Sequence, residues 1–166
     1  YLWRNGEKVL YPKNHDLRVD GEYKKGVGTY SHDELTKEAL GWIEENKEHP
    51  FFLYLPYCIP HAELTVPEDS MEPYLKLNWP ETPKRVDKGN NGGGGYGSQY
   101  KEGYCGQSHP NATYAGMISR MDRSIGRILD KLDELKLTDN TLVLFSSDNG
   151  PSPEGGQDVE FFDSNG

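Results

Sequence analysis

The most constraining feature of this sequence is a long amphipathic pattern that leads directly into a short apolar run. In residues 114–137, apolar side chains recur three or four positions apart with Arg and Asp between them, which predicts an α-helix with one buried face. After a short polar turn, residues 141–147 are apolar and β-rich, which predicts a buried strand. The apolar positions of the predicted helix are Tyr114, Ile118, Met121, Ile125, Ile128, Leu129, Leu132 and Leu135.

A second helix and strand precede this pair. Residues 31–50 have helical periodicity, Ser31 and Glu34 have the spacing of a capping box, and Pro50 closes the segment. The run "FFLYLPYC", residues 51–58, is too continuously apolar for a strand with one wet face, and it fits a central parallel strand that is covered on both sides. The apolar stripe of this helix is Leu35, Ala39, Leu40 and Ile43.

The order of these segments predicts an α/β layered fold with a mostly parallel sheet flanked by helices. Residues 1–30 predict loop with a short strand pair at residues 8–12 and 26–30. Residues 62–111 are rich in Pro, Gly, Asn and Tyr and predict a long surface loop, with a glycine-rich loop or insertion at about 84–110.

Composition bounds the class of protein. The chain has 166 residues, enough for one compact domain, and its net charge of −9 disfavours a nucleic-acid interface, which needs clustered basic residues. No apolar run approaches the roughly 20 residues that span a bilayer, so we expect no membrane partner. Two cysteines are too few for a disulfide framework. We expect both ends to lie inside a longer protein, because the chain begins without Met and stops at "FFDSNG".

Polar side chains follow both predicted strands. His61 follows Pro60 after the first strand, and Asp148, Asn149 and Gly150 follow the second. Ligands of open parallel sheets collect beyond the carboxyl ends of the strands. A carboxylate beside an amide oxygen suits Ca²⁺ or Mg²⁺ better than zinc. Asp-Asn-Gly is also a common turn sequence whose side chains cap their own backbone, and a lone histidine after proline, such as His61, is more often a packed or surface residue than a catalytic one.

Several segments taken together resemble a known family. The strings "FFLYLPYCIPHAELTVPEDSMEPY", "YAGMISRMDRSIGRILDKLDELKLTDNTLVLFSSDNGP" and "FFDSNG" are similar to sulfatases of the arylsulfatase type, within the alkaline-phosphatase-like superfamily. The resemblance extends through "LWRNGEKV" and residues 30–55, and it covers nearly all of the chain except the glycine-rich insertion. It is nearest to arylsulfatase A and N-acetylgalactosamine-6-sulfatase relatives, which implies a sulfated glycan or a small aryl sulfate as substrate.

The resemblance implies a role for three residues. In that family the acid and amide of the "SDNG" motif bind calcium, so Asp148 and Asn149 look like two of its ligands, and His61 of the "PH" motif looks like a donor to the sulfate or its leaving oxygen. The family is commonly secreted, periplasmic or lysosomal.

The family's nucleophile is a formylglycine made from a Cys/Ser-x-Pro-x-Arg motif, which this sequence lacks. The nearest string is Cys58 to Ala62, but Ala62 stands where the arginine should be. The other calcium ligands and the catalytic lysines are also missing. We therefore expect residues 1–166 to be an internal fragment of a sulfatase catalytic domain, inactive by itself.

Two other functions stay open. The first is a phosphodiesterase or phosphatase of the same superfamily, although such enzymes usually have histidine where this chain has Asn149, and bind two transition metals. The second is a non-catalytic binding or structural module. Among the remaining polar residues, His15 and His109 are expected to be solvated, Tyr57 to be a core aromatic, and Asp33 to favour the dipole of the first helix.

Overall fold

Three helices form the packed part of the chain. The computed structural model describes residues 2–14, 18–19, 22–23, 28–82, 107–150, 155–158 and 160–162. Its helices are α1, Ser31–Asn46; α2, Glu68–Leu75; and α3, Pro110–Glu134. Short 3₁₀ turns occupy Pro12–Asn14 and Thr138–Asn140. Both α1 and α2 pack against α3, which is the longest of the three.

The amino-terminal strands pair locally. Strands β1 (Leu2–Arg4) and β2 (Glu7–Val9) form an antiparallel hairpin, and strands β3 (Arg18–Val19) and β4 (Glu22–Tyr23) form another. The predicted pairing of residues 8–12 with 26–30 is wrong for β2, whose partner is β1. The reason is the Asn-Gly turn at residues 5 and 6, where φ is 51° and 83°. Both angles suit the two-residue turn that matches the twist of a hairpin.

Helix α3 confirms the predicted helix, but its buried face differs from the predicted one. It begins four residues earlier than expected, with Pro110 at the first position, where a missing N–H costs nothing. Ile118 and Leu129 are exposed. Small side chains face α2 because the two backbones lie close together: a Cβ on Gly116 would lie 2.8 Å from the backbone oxygen of Ser70. The buried residues of α3 include Ala112, Thr113, Ala115, Met117, Ser124 and Leu132.

Helix α1 is also confirmed, with corrections at both ends. It ends at Asn46, and no side-chain cap is made at its start, because Ser31 already lies inside the helix and the amides of Asp33 and Glu34 bond to the carbonyl of Tyr30. The predicted capping box is therefore wrong. The buried face carries two polar residues: His32 bonds to Ser124 of α3, and Thr36 bonds to the hydroxyl of Tyr57. The predicted Leu35 and Leu40 are only half-buried. The buried residues are His32, Thr36, Ala39 and Ile43.

Helix α2 lies where a loop was predicted. It has eight residues, of which only Ser70 and Met71 are buried, so too little apolar periodicity was present to indicate it. The usable signal was Pro67 followed by two acidic residues, which stabilise the first turn of a helix. Of the predicted glycine-rich insertion at 84–110, residues 84–106 lie outside the described part of the chain.

The two predicted strands are not assigned as strands, and they have no sheet partners among the described residues. Exposure alternates along 51–58, where Phe52 is 87% and Tyr54 75% exposed. In 141–147, Leu142 is 83% and Leu144 84% exposed. Only the two antiparallel pairs near the amino terminus are assigned as sheet in the described residues. The mostly parallel sheet thus stays a prediction.

A charged network holds the three helices together. The guanidinium of Arg120 on α3 donates from Nε and Nη2 to the two carboxylate oxygens of Asp33 on α1, at 2.7 and 2.6 Å. From Nη1 it donates to Asp69 and Ser70 on α2, at 2.9 and 2.7 Å. The Arg120 side chain is only 16% exposed and lies over the Tyr30 ring, 5.7 Å from its centre. Asp33, expected to act on the helix dipole, is the bidentate partner of this arginine.

We expect Arg120→Met to lower the free energy of unfolding by about 1–2 kcal/mol. That is the lower part of the range for charged hydrogen bonds, because Asp33 and Asp69 are both partly exposed. The control is Arg4→Met, which removes an exposed ion pair with Glu38 and should change stability by less than about 0.5 kcal/mol. Urea denaturation curves measure both, and equal effects would contradict a special role for Arg120.

Candidate functional site

The acid and amide that end the second predicted strand form a local turn. The backbone N–H of Asn149 donates to Oδ1 of Asp148 at 3.0 Å, and the Ser147 hydroxyl donates to the backbone carbonyl of Asn149. The Asp148 carboxylate thus caps its own backbone, as the turn interpretation of this sequence expected. Both Asp148 and Asn149 remain exposed, so their side-chain oxygens face solvent. The turn is compatible with a cation site, and it does not require one.

His61 closes a turn at the end of the first predicted strand. Its amide donates to the carbonyl of Cys58 at 3.0 Å, and its Nδ1 bonds to the carbonyl of Ala62. Since a carbonyl oxygen only accepts, Nδ1 carries the hydrogen in this contact. That bond fixes the orientation of the exposed imidazole relative to its own backbone.

The hydrogen bonds described for these three residues stay within their own segments. Asp148 and Asn149 are adjacent in sequence, and His61 bonds to its near neighbours. Within the described ranges, no group of three or more His, Cys, Asp and Glu side chains is placed to share a metal ion. Convergence of His61 with the pair stays a prediction.

A buried polar cluster that the sequence reasoning missed lies beside the first predicted strand. His32 is 2% exposed, and its Nε2 lies 2.9 Å from the Ser124 hydroxyl of α3. The ring of Tyr57 packs on His32, with centres 4.3 Å apart, and its hydroxyl lies 2.8 Å from Oγ1 of Thr36. Tyr57 was expected to be a core aromatic and is half-buried. The sequence pattern that could have indicated this cluster is the spacing of His32 and Thr36, which are four residues apart and therefore lie on one face of the helix.

Burial determines the protonation of this cluster. It lowers the pKa of His32; the nearby Asp33 opposes that shift and the Arg120 charge adds to it. Burial also raises the pKa of Tyr57, so the phenol keeps its proton. The cluster is therefore neutral and held by hydrogen bonds near neutral pH, between α1, α3 and the segment that leads to His61.

The amino terminus of α3 already has an anionic partner. The Glu81 carboxylate accepts from the amides of Asn111 and Ala112, at 2.9 and 2.8 Å. A carboxylate in this position satisfies helix amides that would otherwise attract an anion such as sulfate. His109, which precedes the helix, was expected to be solvated and is half-buried, and its carbonyl accepts from Thr113. His15 lies outside the described residues.

Comparison with known proteins decides the family. Residues 3–164 match the Sulfatase family model, which is nearly the whole chain. The chain belongs to the sulfatase family. Among curated proteins, this sulfatase chain is 32% identical over 161 residues to an N-acetylgalactosamine-6-O-sulfatase of Bacteroides thetaiotaomicron, covering 97% of the chain and 22% of the relative. It is 30% identical over 154 residues to a human steryl-sulfatase, covering 93% of the chain and 18% of the relative.

A solved structure agrees with this assignment. The crystal structure of Ps i-CgsB in complex with k-i-k-neocarrahexaose matches with a TM-score of 0.55 and 28% identity, over 78% of this chain and 23% of that one. The sulfatase chain therefore has an alkaline-phosphatase-like α/β fold. It spans about a fifth of the length of these relatives. Within the described residues, no helix is long and apolar enough to cross a membrane.

We expect the stability of the chain to fall as pH falls below about 6.5, the ordinary pKa of histidine. The folded state keeps His32 neutral because its pKa is lowered, whereas the unfolded chain takes up the proton. The free energy of unfolding thus decreases with falling pH until the folded-state pKa is passed. Denaturation midpoints measured from pH 7.5 to 5 test this.

The matched variants are His32→Gln and His49→Gln. The first should flatten this part of the pH dependence, and the second, at an exposed position near the end of α1, should leave it unchanged. An identical slope in wild type and His32→Gln would contradict the assignment.

Proposed function

We propose that the chain is an internal part of the catalytic domain of a sulfuric ester hydrolase, and that the complete enzyme cleaves sulfate esters. The observation that carries the proposal is the family match over residues 3–164, which spans both predicted strand ends, with His61 on one and Asp148 and Asn149 on the other. The chain spans about a fifth of its relatives, so the rest of the active site would come from elsewhere in the enzyme.

The proposed substrate is a sulfated glycan, with a small aryl sulfate as a surrogate. One relative is named for N-acetylgalactosamine 6-O-sulfate, and the structural neighbour was solved with a carrahexaose, an oligosaccharide. Both therefore favour a sugar ester over a sulfated lipid or protein. The steryl-sulfatase relative shows that sugar chemistry is not universal among similar chains.

Calcium is the proposed metal of the complete enzyme. The donor set offered by the chain fits a hard cation, since Asp148 supplies carboxylate oxygens and Asn149 an amide oxygen, and both are exposed. When bound, such an ion neutralises charge on the sulfuryl oxygens. Calcium takes about six to eight oxygen ligands, so two residues would hold only part of the site, and the remaining ligands and the formylglycine would lie outside this chain.

His61 is proposed to donate a hydrogen bond to the sulfate or its leaving oxygen. Its Nδ1 hydrogen bonds to the Ala62 carbonyl, which leaves the task of donation to Nε2. If both nitrogens carry hydrogens, the ring is a cation, which suits an anionic sulfate ester.

The parallel sheet belongs to this proposal. We place residues 51–58 and 141–147 as neighbouring parallel strands of the complete enzyme, because both runs are apolar and expose large apolar side chains that an isolated surface would not favour. The carboxyl ends of parallel neighbours meet at one edge of a sheet. His61 and the Asp148–Asn149 pair would then face the same ester.

Two alternatives remain. A phosphodiesterase or phosphatase of the superfamily is disfavoured by Asn149, where such enzymes usually carry histidine. A non-catalytic module would use Asp148 and Asn149 only as the turn in which they are found. Turnover of matched aryl sulfate and aryl phosphate substrates by the complete enzyme discriminates the three, since the sulfate ester is preferred under our proposal and neither is cleaved by a binding module.

We expect Asn149→Ala in the complete enzyme to lower the turnover of a chromogenic aryl sulfate by about tenfold or more, equivalent to about 1.4 kcal/mol of lost transition-state stabilisation. The reason is loss of one oxygen ligand, so added calcium should restore part of the activity. The control is Asn140→Ala, an exposed amide in the preceding 3₁₀ turn. Unchanged turnover in Asn149→Ala at limiting calcium would count against the site.

A further inference from the structure

We propose that Tyr57 is a positioning residue for His61. This inference rests on the proposed function, in which His61 contacts the sulfate. Segment 51–58 contacts the helices at its two ends, through the ring of Phe51, which lies 5.4 Å from that of Trp42 on α1, and through Tyr57, which is the contact nearer to His61. The Tyr57 hydroxyl bonds to Thr36 at 2.8 Å and its ring packs on His32, whereas Phe52 and Tyr54 of the same segment are largely exposed.

The hydrogen-bond direction at Tyr57 follows from its partner. The Thr36 hydroxyl donates its single hydrogen to the backbone carbonyl of His32 at 2.9 Å. It can therefore only accept in its second bond, so the Tyr57 hydroxyl is the donor. A phenol that donates to a buried, already committed hydroxyl has one favourable orientation, and this defines the position of the Tyr57 side chain.

The two residues that Tyr57 contacts, Thr36 and His32, are held in place by α1 and α3. Thr36 is fully buried on α1, and His32 one turn earlier is locked to α3 through the Ser124 hydroxyl at 2.9 Å. Close-packed interiors transmit displacements because their side chains cannot shift independently. The position of the Tyr57 ring is therefore set by α1 directly and by α3 through His32.

Tyr57 and His61 are connected by a tight turn. Only three residues separate them, and the amide of His61 bonds back to the carbonyl of Cys58, the residue directly after Tyr57. If the Tyr57 side chain lost its hydrogen bond and became more mobile, the turn and the imidazole of His61 would become more mobile as well. A displacement of about 1 Å at a group that orients the reaction is enough to reduce turnover.

The test uses the complete enzyme with Tyr57→Phe, Thr36→Val and the double variant. Each single change removes one side of the same hydrogen bond, and we expect kcat and kcat/KM to fall together by about two- to tenfold, the scale of one net hydrogen bond, with KM nearly unchanged. The double variant should fall no further than the singles, and Thr36→Ser, which keeps the hydroxyl, should retain wild-type turnover.

The control is Tyr54→Phe, the same chemical change three residues earlier, which keeps the hydrogen bond between Tyr57 and Thr36 and should leave kcat and hydrogen exchange unchanged. Hydrogen exchange of the peptide covering residues 58–62 gives a readout independent of catalysis and should be faster in Tyr57→Phe. Unchanged kcat and unchanged exchange in Tyr57→Phe would overturn the inference, as would a lower melting temperature with normal kcat.

A complete wild-type enzyme that cleaves no sulfate ester would instead refute the proposed function. The exchange arm then still decides whether Tyr57 holds the turn: faster exchange at residues 58–62 in Tyr57→Phe supports the anchoring contact, and unchanged exchange overturns it.

Discussion

The rest of the described structure depends on the hydrogen bonds that the half-buried guanidinium of Arg120 donates. It makes a bidentate pair with Asp33 of α1 and reaches Asp69 and Ser70 of α2, so a single side chain of α3 sets the positions of both other helices. A guanidinium withdrawn from water needs partners for its donors, and Asp33, Asp69 and Ser70 supply them. Beside this network the backbones of α2 and α3 lie close together, with Gly116 against the carbonyl of Ser70.

Both candidate site segments leave this helical frame at defined points. The first is fastened by Tyr57 to Thr36 and reaches His61 through a tight turn. The second follows the end of α3, where the Leu137 amide bonds back to Leu132 and the Thr141 hydroxyl to Leu137. The helices therefore anchor the first segment near its end, at Tyr57, and the second at its start, at Thr141, whereas large apolar side chains of both segments are exposed.

The two long helices and the family could be predicted from the sequence. Periodicity over many turns predicts α1 and α3, and the "PH" and "SDNG" strings with their flanking segments indicate a sulfatase. The short helix and the partners of individual side chains could not be predicted from the sequence. Helix α2 has too few buried residues for a period to emerge, and nothing local marks Asp33 and Arg120 as a pair, since they are 87 positions apart in the sequence. The buried face of α3 was misplaced for the same reason: the partner of a helix face lies elsewhere in the chain.

Under our proposal, the side chains of Asp148, Asn149 and His61, at the ends of two predicted strands, contact one sulfate ester. A crystal structure of the complete enzyme with calcium and sulfate tests it most directly. We expect side-chain oxygens of Asp148 and Asn149 at about 2.3–2.6 Å from one calcium ion, and a ring nitrogen of His61 within hydrogen-bonding distance of the sulfate held there. Calcium held by other residues, or His61 at the opposite edge of the sheet, would contradict it.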